Sequence, residues 1–168
     1  LIPILDQLVG TLRLASEDPY QVASDVATAA YGACGRGDQD YVLLMSGHLS
    51  TSDNGDLLIH GFLYMGILPG GEGVLMQALA GHENADGRLG ALEGLRKAGT
   101  KGNLSGAEIT TLGLAALENE SSERNRLLLY EMMTSAGGEE GLAAVEQILR
   151  SGKVTEIDKT VGFLAVHM

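Results

Sequence analysis

The feature that most constrains this chain is a recurring pattern of an amphipathic helix, a glycine-rich break and a second helix. The breaks lie at positions 35–37, 69–71, 99–102 and 137–138. Tyrosines show a related interval, since Tyr130 follows Tyr64 at twice the distance by which Tyr64 follows Tyr31. The shorter interval, about 33 residues, is typical of proteins built from stacked helix pairs. The pattern predicts an all-α fold, a right-handed α-solenoid of about four to five helix pairs.

Polar links rich in Asp, Asn and Ser divide this predicted single domain into repeats. Their approximate limits are 18–51, 52–83, 84–120 and 121–153, followed by a partial repeat at 154–168. The composition favours helices, because aromatic residues make up only 4% of the chain and tryptophan is absent. A core of Leu, Ala, Val, Ile and Met suits helix packing better than a β-sandwich, which prefers β-branched and aromatic side chains.

The predicted helices differ in how much apolar surface they carry. The helix predicted from Gly55 to Leu68 is apolar nearly all round, which predicts burial on both sides. The second helices of the repeats, such as 72–81 and 106–119, open with carboxylates that favour the positive end of the helix dipole: Asp38, Glu72, Glu108 and Glu139. We expect Asp38 to cap its helix, and we expect a core that includes Leu57, Phe62, Leu63, Leu128 and Leu142.

Antiparallel helix pairs with a tight inner turn and a polar outer link resemble HEAT-like repeats of the armadillo/HEAT superfamily. The best-matching stretch is 84–99, with the sequence NADGRLGALEGLRKAG, and 122–151 follows it closely. The resemblance covers most of residues 18–168 and specifies a fold, because HEAT repeats are degenerate in sequence. It implies a solenoid whose second helices line a concave surface for a partner.

The charge of the chain restricts the class of partner. The net charge is −11, and residues 1–84 hold ten acidic and only two basic residues. Such a field repels phosphate, so we expect no nucleic-acid partner and no anionic membrane partner, whereas a basic protein or peptide would be attracted. No stretch reaches the roughly 18 apolar residues of a membrane-spanning helix, so we expect no membrane insertion and a cytoplasmic protein.

Candidate catalytic and metal-binding residues have simpler structural interpretations. His48 and His82 each follow a glycine at the end of a second helix, which predicts helix capping. Deoxyhypusine hydroxylases, which are HEAT-like enzymes, use repeated His-Glu pairs to hold two irons, but this chain has the single pair His82-Glu83. Cys34 lies in an apolar stretch and predicts a buried core residue. We therefore expect no catalytic site, no metal and no cofactor.

The leading functional hypothesis is a non-catalytic interaction or scaffold module that binds a protein or peptide on its concave face. The charge of the chain favours a basic partner. The candidate binding residues are polar positions of the second helices: Asp40, His48, Gln77, Glu146 and Gln147. One alternative is an acidic inhibitor of the immunity type, which would neutralise a basic enzyme. Another is a subunit of a HEAT-like lyase.

The C-terminal segment suggests an end interface. Residues 155–168 form a predicted first helix without a partner helix, and its apolar positions are Val161, Leu164 and Val166. An end repeat without a polar cap exposes the surface that its neighbour would bury. We expect either continuation of the repeat stack or pairing of two copies, as a homodimer, at this end.

Overall fold

The fold is described from a computed structural model, which describes residues 37–151 continuously together with residues 7, 25, 28–30, 32 and 159. Regular structure in these residues is helical and includes no strand, which confirms the prediction of an all-α protein. The helices of the continuous part are α1 (Asp38–Leu49), α2 (Gly55–Met65), α3 (Glu72–Gly81), α4 (Ala85–Thr100), α5 (Gly106–Asn119), α6 (Glu123–Ala136) and α7 (Gly138–Arg150).

Several helix limits match the limits predicted from sequence. Helices α3 and α5 begin and end at the predicted residues. Helix α2 begins at Gly55 as predicted but ends at Met65 rather than Leu68. Its chain tightens there into bonds of the 3₁₀ type, with the Leu68 N–H donating to the Met65 carbonyl over 3.0 Å. Pro69 follows, and proline disfavours helical geometry in the residue before it.

Side-chain caps fix the starts of α2, α5 and α6. The Asn54 Oδ1 accepts from the Leu57 N–H over 3.1 Å, and Ser122 caps α6 in the same way. At α5, Ser105 and Glu108 form a reciprocal capping box. The hydroxyl and the backbone N–H of Ser105 donate to the Glu108 carboxylate and hold its pKa below the ordinary value. The predicted Asp38 cap is wrong, because α1 begins at Asp38 itself and Gly37 precedes it as N-cap.

Contacts divide the chain into two compact units, Leu1–Lys97 and Ala98–Met168, and α4 runs from the first into the second. In the first unit, α1 and α2 form a hairpin in which the Tyr41 and Tyr64 rings meet edge to face, with centroids 5.4 Å apart. No residue of α2 is exposed. The predicted burial of this apolar segment is therefore confirmed for α2, whereas Ile67, which the prediction also placed in the helix, is 39% exposed.

Glycines bring α2 and α4 into backbone contact within the first unit. A Cβ atom on Gly90 would lie 2.5 Å from the Leu58 carbonyl oxygen and 2.7 Å from the Ile59 Cα, and one on Gly94 would lie 2.6 Å from the Phe62 carbonyl oxygen. Near the helix starts, Gly55 adjoins Asp86. Because these contacts advance together along both helices, α2 and α4 run parallel, with Ile59 beside Gly90 as the reference point of their register.

The second unit uses the same register between α5 and α7. Gly106 lies against Gly137, and Thr110 lies against Gly141, so both contacts join residues at the same offset along the chain as Ile59 and Gly90. Helix α6, which lies between α5 and α7 in the chain, runs antiparallel to them. Its Met133 side chain packs against Gly113 of α5, where a Cβ atom would lie only 2.5 Å from the Met133 Cγ. In this unit glycine admits a neighbouring backbone at Gly106 and the side chains of Met133 and Thr110 at Gly113 and Gly141.

The links before α4 and α6 share an arginine contact. Arg88 and Arg126 are each the fourth residue of their helix. The Arg88 Nη1 donates to the His82 and Glu83 carbonyls at 2.7 and 3.1 Å. The Arg126 Nη1 donates to the Leu117 and Glu120 carbonyls at 2.8 and 3.0 Å. Each guanidinium thereby satisfies carbonyl groups that the end of the preceding helix leaves without helical partners.

The expected core is only partly confirmed. Leu57 and Phe62 are buried, whereas Leu63 and Leu128 are half-buried and Leu142 is 37% exposed. The prediction that Leu142 is a core residue is wrong, because Gly141 and Val145 are the buried residues of α7. Leu142 follows Gly141 by one residue, and that step turns its side chain away from the buried side of the helix. Cys34, Val161, Leu164 and Val166 lie outside the described residues.

Replacing Gly90 by alanine tests the backbone contact between α2 and α4. Alanine is the better helix former, so propensity alone predicts a gain in stability. We expect instead that Gly90→Ala lowers the free energy of unfolding by about 1–3 kcal/mol, because the new methyl overlaps backbone atoms that cannot move aside. Urea unfolding followed by circular dichroism measures the change.

Gly73→Ala is the matched control, because a Cβ at this position on α3 meets nothing within 4 Å. It should leave stability unchanged or raise it by up to about 1 kcal/mol. Equal effects of the two substitutions would contradict the close contact.

Candidate functional site

An open cleft of about 470 Å³ lies between α1 and α3 in the first unit. Its walls are made largely of small or polar residues from the two helices, and Phe62 of α2 contributes to its apolar lining. The residues that line it are Ser46, Gly47, Ser50, Phe62, Val74, Gln77, Ala78, Gly81, His82 and Glu83. Ser46 and Gln77 are separated along the chain by the same offset as Ile59 and Gly90, as are Ser50 and Gly81. Both helices thus contribute residues along the cleft, and the direct bond between their ends, from His82 to the Leu49 carbonyl, joins residues 33 positions apart.

His82 closes the cleft at the end where α1 stops. Its Nε2 lies 3.0 Å from the Leu49 carbonyl oxygen, and its Nδ1 lies 3.1 Å from the backbone nitrogen of Asn84, whose N–H donates to it. The Nδ1 also lies 3.3 Å from the Asn84 carbonyl oxygen. A proton on Nε2 alone lets the ring donate to the Leu49 carbonyl and accept from the Asn84 N–H. The ring also meets Phe62 edge to face, with centroids 5.8 Å apart. Gly87 leaves the space for the ring, since a Cβ there would overlap it.

The predicted capping role of His82 is confirmed in a modified form. The residue is the C-cap of α3, as the Gly81-His82 pattern indicates. Its ring, however, hydrogen-bonds a carbonyl at the end of the neighbouring helix α1 and the backbone of Asn84 in the link to α4. Both ring nitrogens are used in backbone hydrogen bonds, so neither is directed at a ligand.

The polar groups of the cleft are mainly hydrogen-bond acceptors. The Ser46 hydroxyl donates to the Leu43 carbonyl and the Ser50 hydroxyl donates to the Gly47 carbonyl, each over 2.9 Å. A serine hydroxyl has one proton, so these bonds leave only oxygen lone pairs for a ligand. Glu83 adds an exposed carboxylate, which is acceptor-only when ionised. Gln77 alone among these polar lining groups offers both donors and an acceptor.

The segment that holds α1 and α3 is acidic, while the Arg88 guanidinium adjoins one end of the cleft, where its Nη1 donates to the carbonyls of His82 and Glu83. Residues 37–84 contain six carboxylates and no lysine or arginine. Asp40 lies in the first turn of α1 and Glu72 in the first turn of α3, each at the end of its helix opposite the bond from His82 to the Leu49 carbonyl. Their positions stabilise the helix starts and also give this surface a negative potential.

The structure places the five predicted binding residues in different surroundings. Gln77 lines the cleft between α1 and α3, whereas Asp40 and His48 are half-buried on α1 and are not among the lining residues. Glu146 and Gln147 lie on α7 in the second unit. Glu146 pairs with Arg150 over 3.1 Å, and Gln147 lines a smaller groove of about 280 Å³ between α5 and α7.

Sequence reasoning missed Ser46, Ser50 and Glu83 as lining residues. The missing signal is which residues of α1 lie on the side towards α3, since Ser46 and Ser50 line the cleft together with Gln77. The interval from Tyr31 to Tyr64 is two positions longer than the interval from Ser46 to Gln77. A shift of two positions turns a helical residue by about 200°, which is enough to select the wrong side of the helix.

Other kinds of site were sought in the described part of the chain. No group of three or more His, Cys, Asp and Glu side chains is arranged there to hold a metal ion. None of the helices found there combines the length and the apolar character needed to cross a membrane. Comparison with protein-family models, with curated proteins and with solved structures finds no match for this chain.

The His82 geometry predicts a definite tautomer and a contribution to stability. At a pH where the ring is neutral, long-range ¹H–¹⁵N spectra should show the proton on Nε2 and none on Nδ1. His82→Ala removes the donor to the Leu49 carbonyl, and we expect a loss of about 1–3 kcal/mol in the free energy of unfolding. A ring protonated on Nδ1 alone would be incompatible with the bond from the Asn84 N–H.

Proposed function

We propose that this chain is a non-catalytic α-solenoid module that binds a protein partner through the exposed surface of α1 and α3. The observation that carries the proposal is the open cleft between these helices, whose polar groups face outward as acceptors in an acidic stretch of chain. Stacked helix pairs commonly bind partners along the surface formed by equivalent helices.

Two regularities support the solenoid interpretation. Equivalent helices run parallel at a nearly constant offset along the chain inside each unit. The arginine contact of Arg88 recurs at Arg126, at the same position in its own helix. Recurrence of both the register and the link is what a repeated helix pair produces.

The surface beside the cleft supports a protein partner with positive charge. Leu43 and Leu44 on α1 are 72% and 50% exposed. Leu43 precedes Ser46 and Gly47 by one helical turn, so it continues the α1 side of the cleft. Exposed apolar side chains beside polar groups are common in protein interfaces, and the surrounding carboxylates would attract a basic partner.

A binding role is also favoured by the state of the cleft's histidine. His82 is the lining side chain best suited to general acid–base catalysis. Both of its nitrogens, however, are engaged with backbone groups at Leu49 and Asn84. Its role in the proposal is to hold the end of α1 beside α3.

The acidic surface also favours a second candidate, an inhibitor that blocks a basic enzyme. Charge-steered inhibition depends on the association rate, which falls steeply as salt is added. A scaffold that holds its partner mainly through the cleft and the leucines would show a smaller effect of salt on the association rate.

A peptide-display selection against the purified protein tests the proposed function. We expect enrichment of peptides that combine basic and apolar residues. For such a peptide, Gln77→Arg should weaken binding by at least about tenfold, or roughly 1.4 kcal/mol, because it introduces a like charge into the cleft. Fluorescence anisotropy measures the dissociation constants.

Gln147→Arg is the matched control, since Gln147 is also an exposed glutamine on a helix but lies in the second unit. Binding to this variant should stay within about twofold of the parent protein, because its added charge lies outside the proposed contact. Failure to select any peptide, or equal losses in both variants, would contradict the proposal.

A further inference from the structure

We infer that the cleft between α1 and α3 is a receptor for an arginine side chain of the partner. The inference rests on the proposed function for the source of the arginine, which is a protein segment. Its chemical basis, a preference of the cleft for a guanidinium group, comes from the cleft itself and is tested separately.

The polar groups that line the cleft offer mainly hydrogen-bond acceptors to a ligand. The hydroxyls of Ser46 and Ser50 donate their hydrogen bonds to the Leu43 and Gly47 carbonyls, so towards a ligand they can act as acceptors. The Glu83 carboxylate adds further acceptors, and the Gln77 amide adds one more. A ligand that satisfies these groups must be rich in donors, whereas a carboxylate or phosphate would meet oxygen lone pairs and a negative charge.

The charged side chain that lines the cleft is negative. Glu83 is a charged residue that lines the cleft, and within the described part of the chain no lysine or arginine is among the lining residues. Arg88, which is close in sequence, points its Nη1 at the main-chain carbonyls of His82 and Glu83. The Glu83 carboxylate is the charged side chain in the lining that a ligand would meet, and the Arg88 guanidinium is bound to the main chain of the same residue.

The distribution of acceptors on both walls of the cleft favours arginine over lysine. The acceptors come from both walls, with Ser46 on α1, Ser50 at its end and Gln77 on α3. A guanidinium has five donors in a flat fork and reaches several acceptors at once, whereas an ammonium is a compact point charge. Phe62 and Val74 supply apolar surface in the cleft. The methylene groups of an arginine side chain commonly pack against such a surface.

Titration of the ¹⁵N-labelled protein with N-acetyl-arginine amide tests the receptor without any knowledge of the partner. Saturable shifts should appear at the amides of Ser46, Ser50, Gln77 and Glu83. N-acetyl-citrulline amide has nearly the same shape but no charge, and it should bind at least about fivefold more weakly because charge-assisted hydrogen bonds are the stronger ones. N-acetyl-lysine amide should fall between the two.

Substitutions identify the acceptor that carries the charge preference. Glu83→Gln should reduce the affinity for the arginine probe severalfold and leave that for citrulline unchanged. Gln77→Glu should increase the arginine affinity. Glu131→Gln is the control, because Glu131 is an exposed acid on α6 in the second unit, and it should change neither affinity. Circular dichroism checks that each variant is folded.

Three results would overturn the receptor: no saturable arginine shifts at the cleft, equal affinity for arginine and citrulline, or equal effects of Glu83→Gln and Glu131→Gln. If selected peptides bind but the arginine probe does not, the receptor is refuted and the binding function stands. If the arginine probe binds but no peptide does, the binding function is refuted and the receptor stands.

Discussion

Direct backbone contact between α2 and α4 is the constraint on which the first unit depends. It exists because Gly90 and Gly94 have no side chains, and a Cβ on either would lie within 2.6 Å of a main-chain oxygen of α2. The contact at Gly94 fixes the backbone of Phe62, whose ring packs against His82. His82 in turn bonds the end of α1. The position of the cleft thus follows from two glycines on a helix that does not line it.

The second unit solves the same packing problem with different residues. There Gly137 and Gly141 lie against Thr110 and the Met133 carbonyl. Glycine inside a helix costs about 1 kcal/mol relative to alanine. The cost is offset where close approach lets many backbone and side-chain atoms meet, since dispersion contacts are individually small and collectively large. This device suits a chain with few aromatic side chains to fill wider gaps.

Local signals in the sequence predicted the helices well, because caps and breaks act within a few residues. Ser105, Glu108 and Gly81 mark the predicted limits of α3 and α5. The uniform apolar pattern of α2 likewise predicted its burial. Which glycines would contact a neighbouring helix could not be predicted, since the same residue also ends helices, as at Gly81, or lies open within one, as at Gly73.

The residues of the candidate site were predictable only in part, because the site also depends on contacts between helices. Gln77, a predicted binding residue, lines the cleft, but the residues that line the cleft with it depend on how α1 and α3 lie against each other. The tyrosine spacing did not supply this information: Tyr64 is the tenth residue of α2 and half-buried, whereas Tyr130 is the eighth residue of α6 and 1% exposed. The two tyrosines do not occupy equivalent positions.

Nuclear Overhauser contacts between the backbones of α2 and α4 test the central claim most directly. Backbone contact at Gly90 and Gly94 predicts strong contacts from the Gly90 Hα protons to the Ile59 Hα, and from the Gly94 Hα protons to the backbone of Phe62 and Gly66. Such contacts require the helix backbones to touch. Their absence, with only side-chain contacts between α2 and α4 at the ordinary separation of about 8–10 Å between helix axes, would contradict the account.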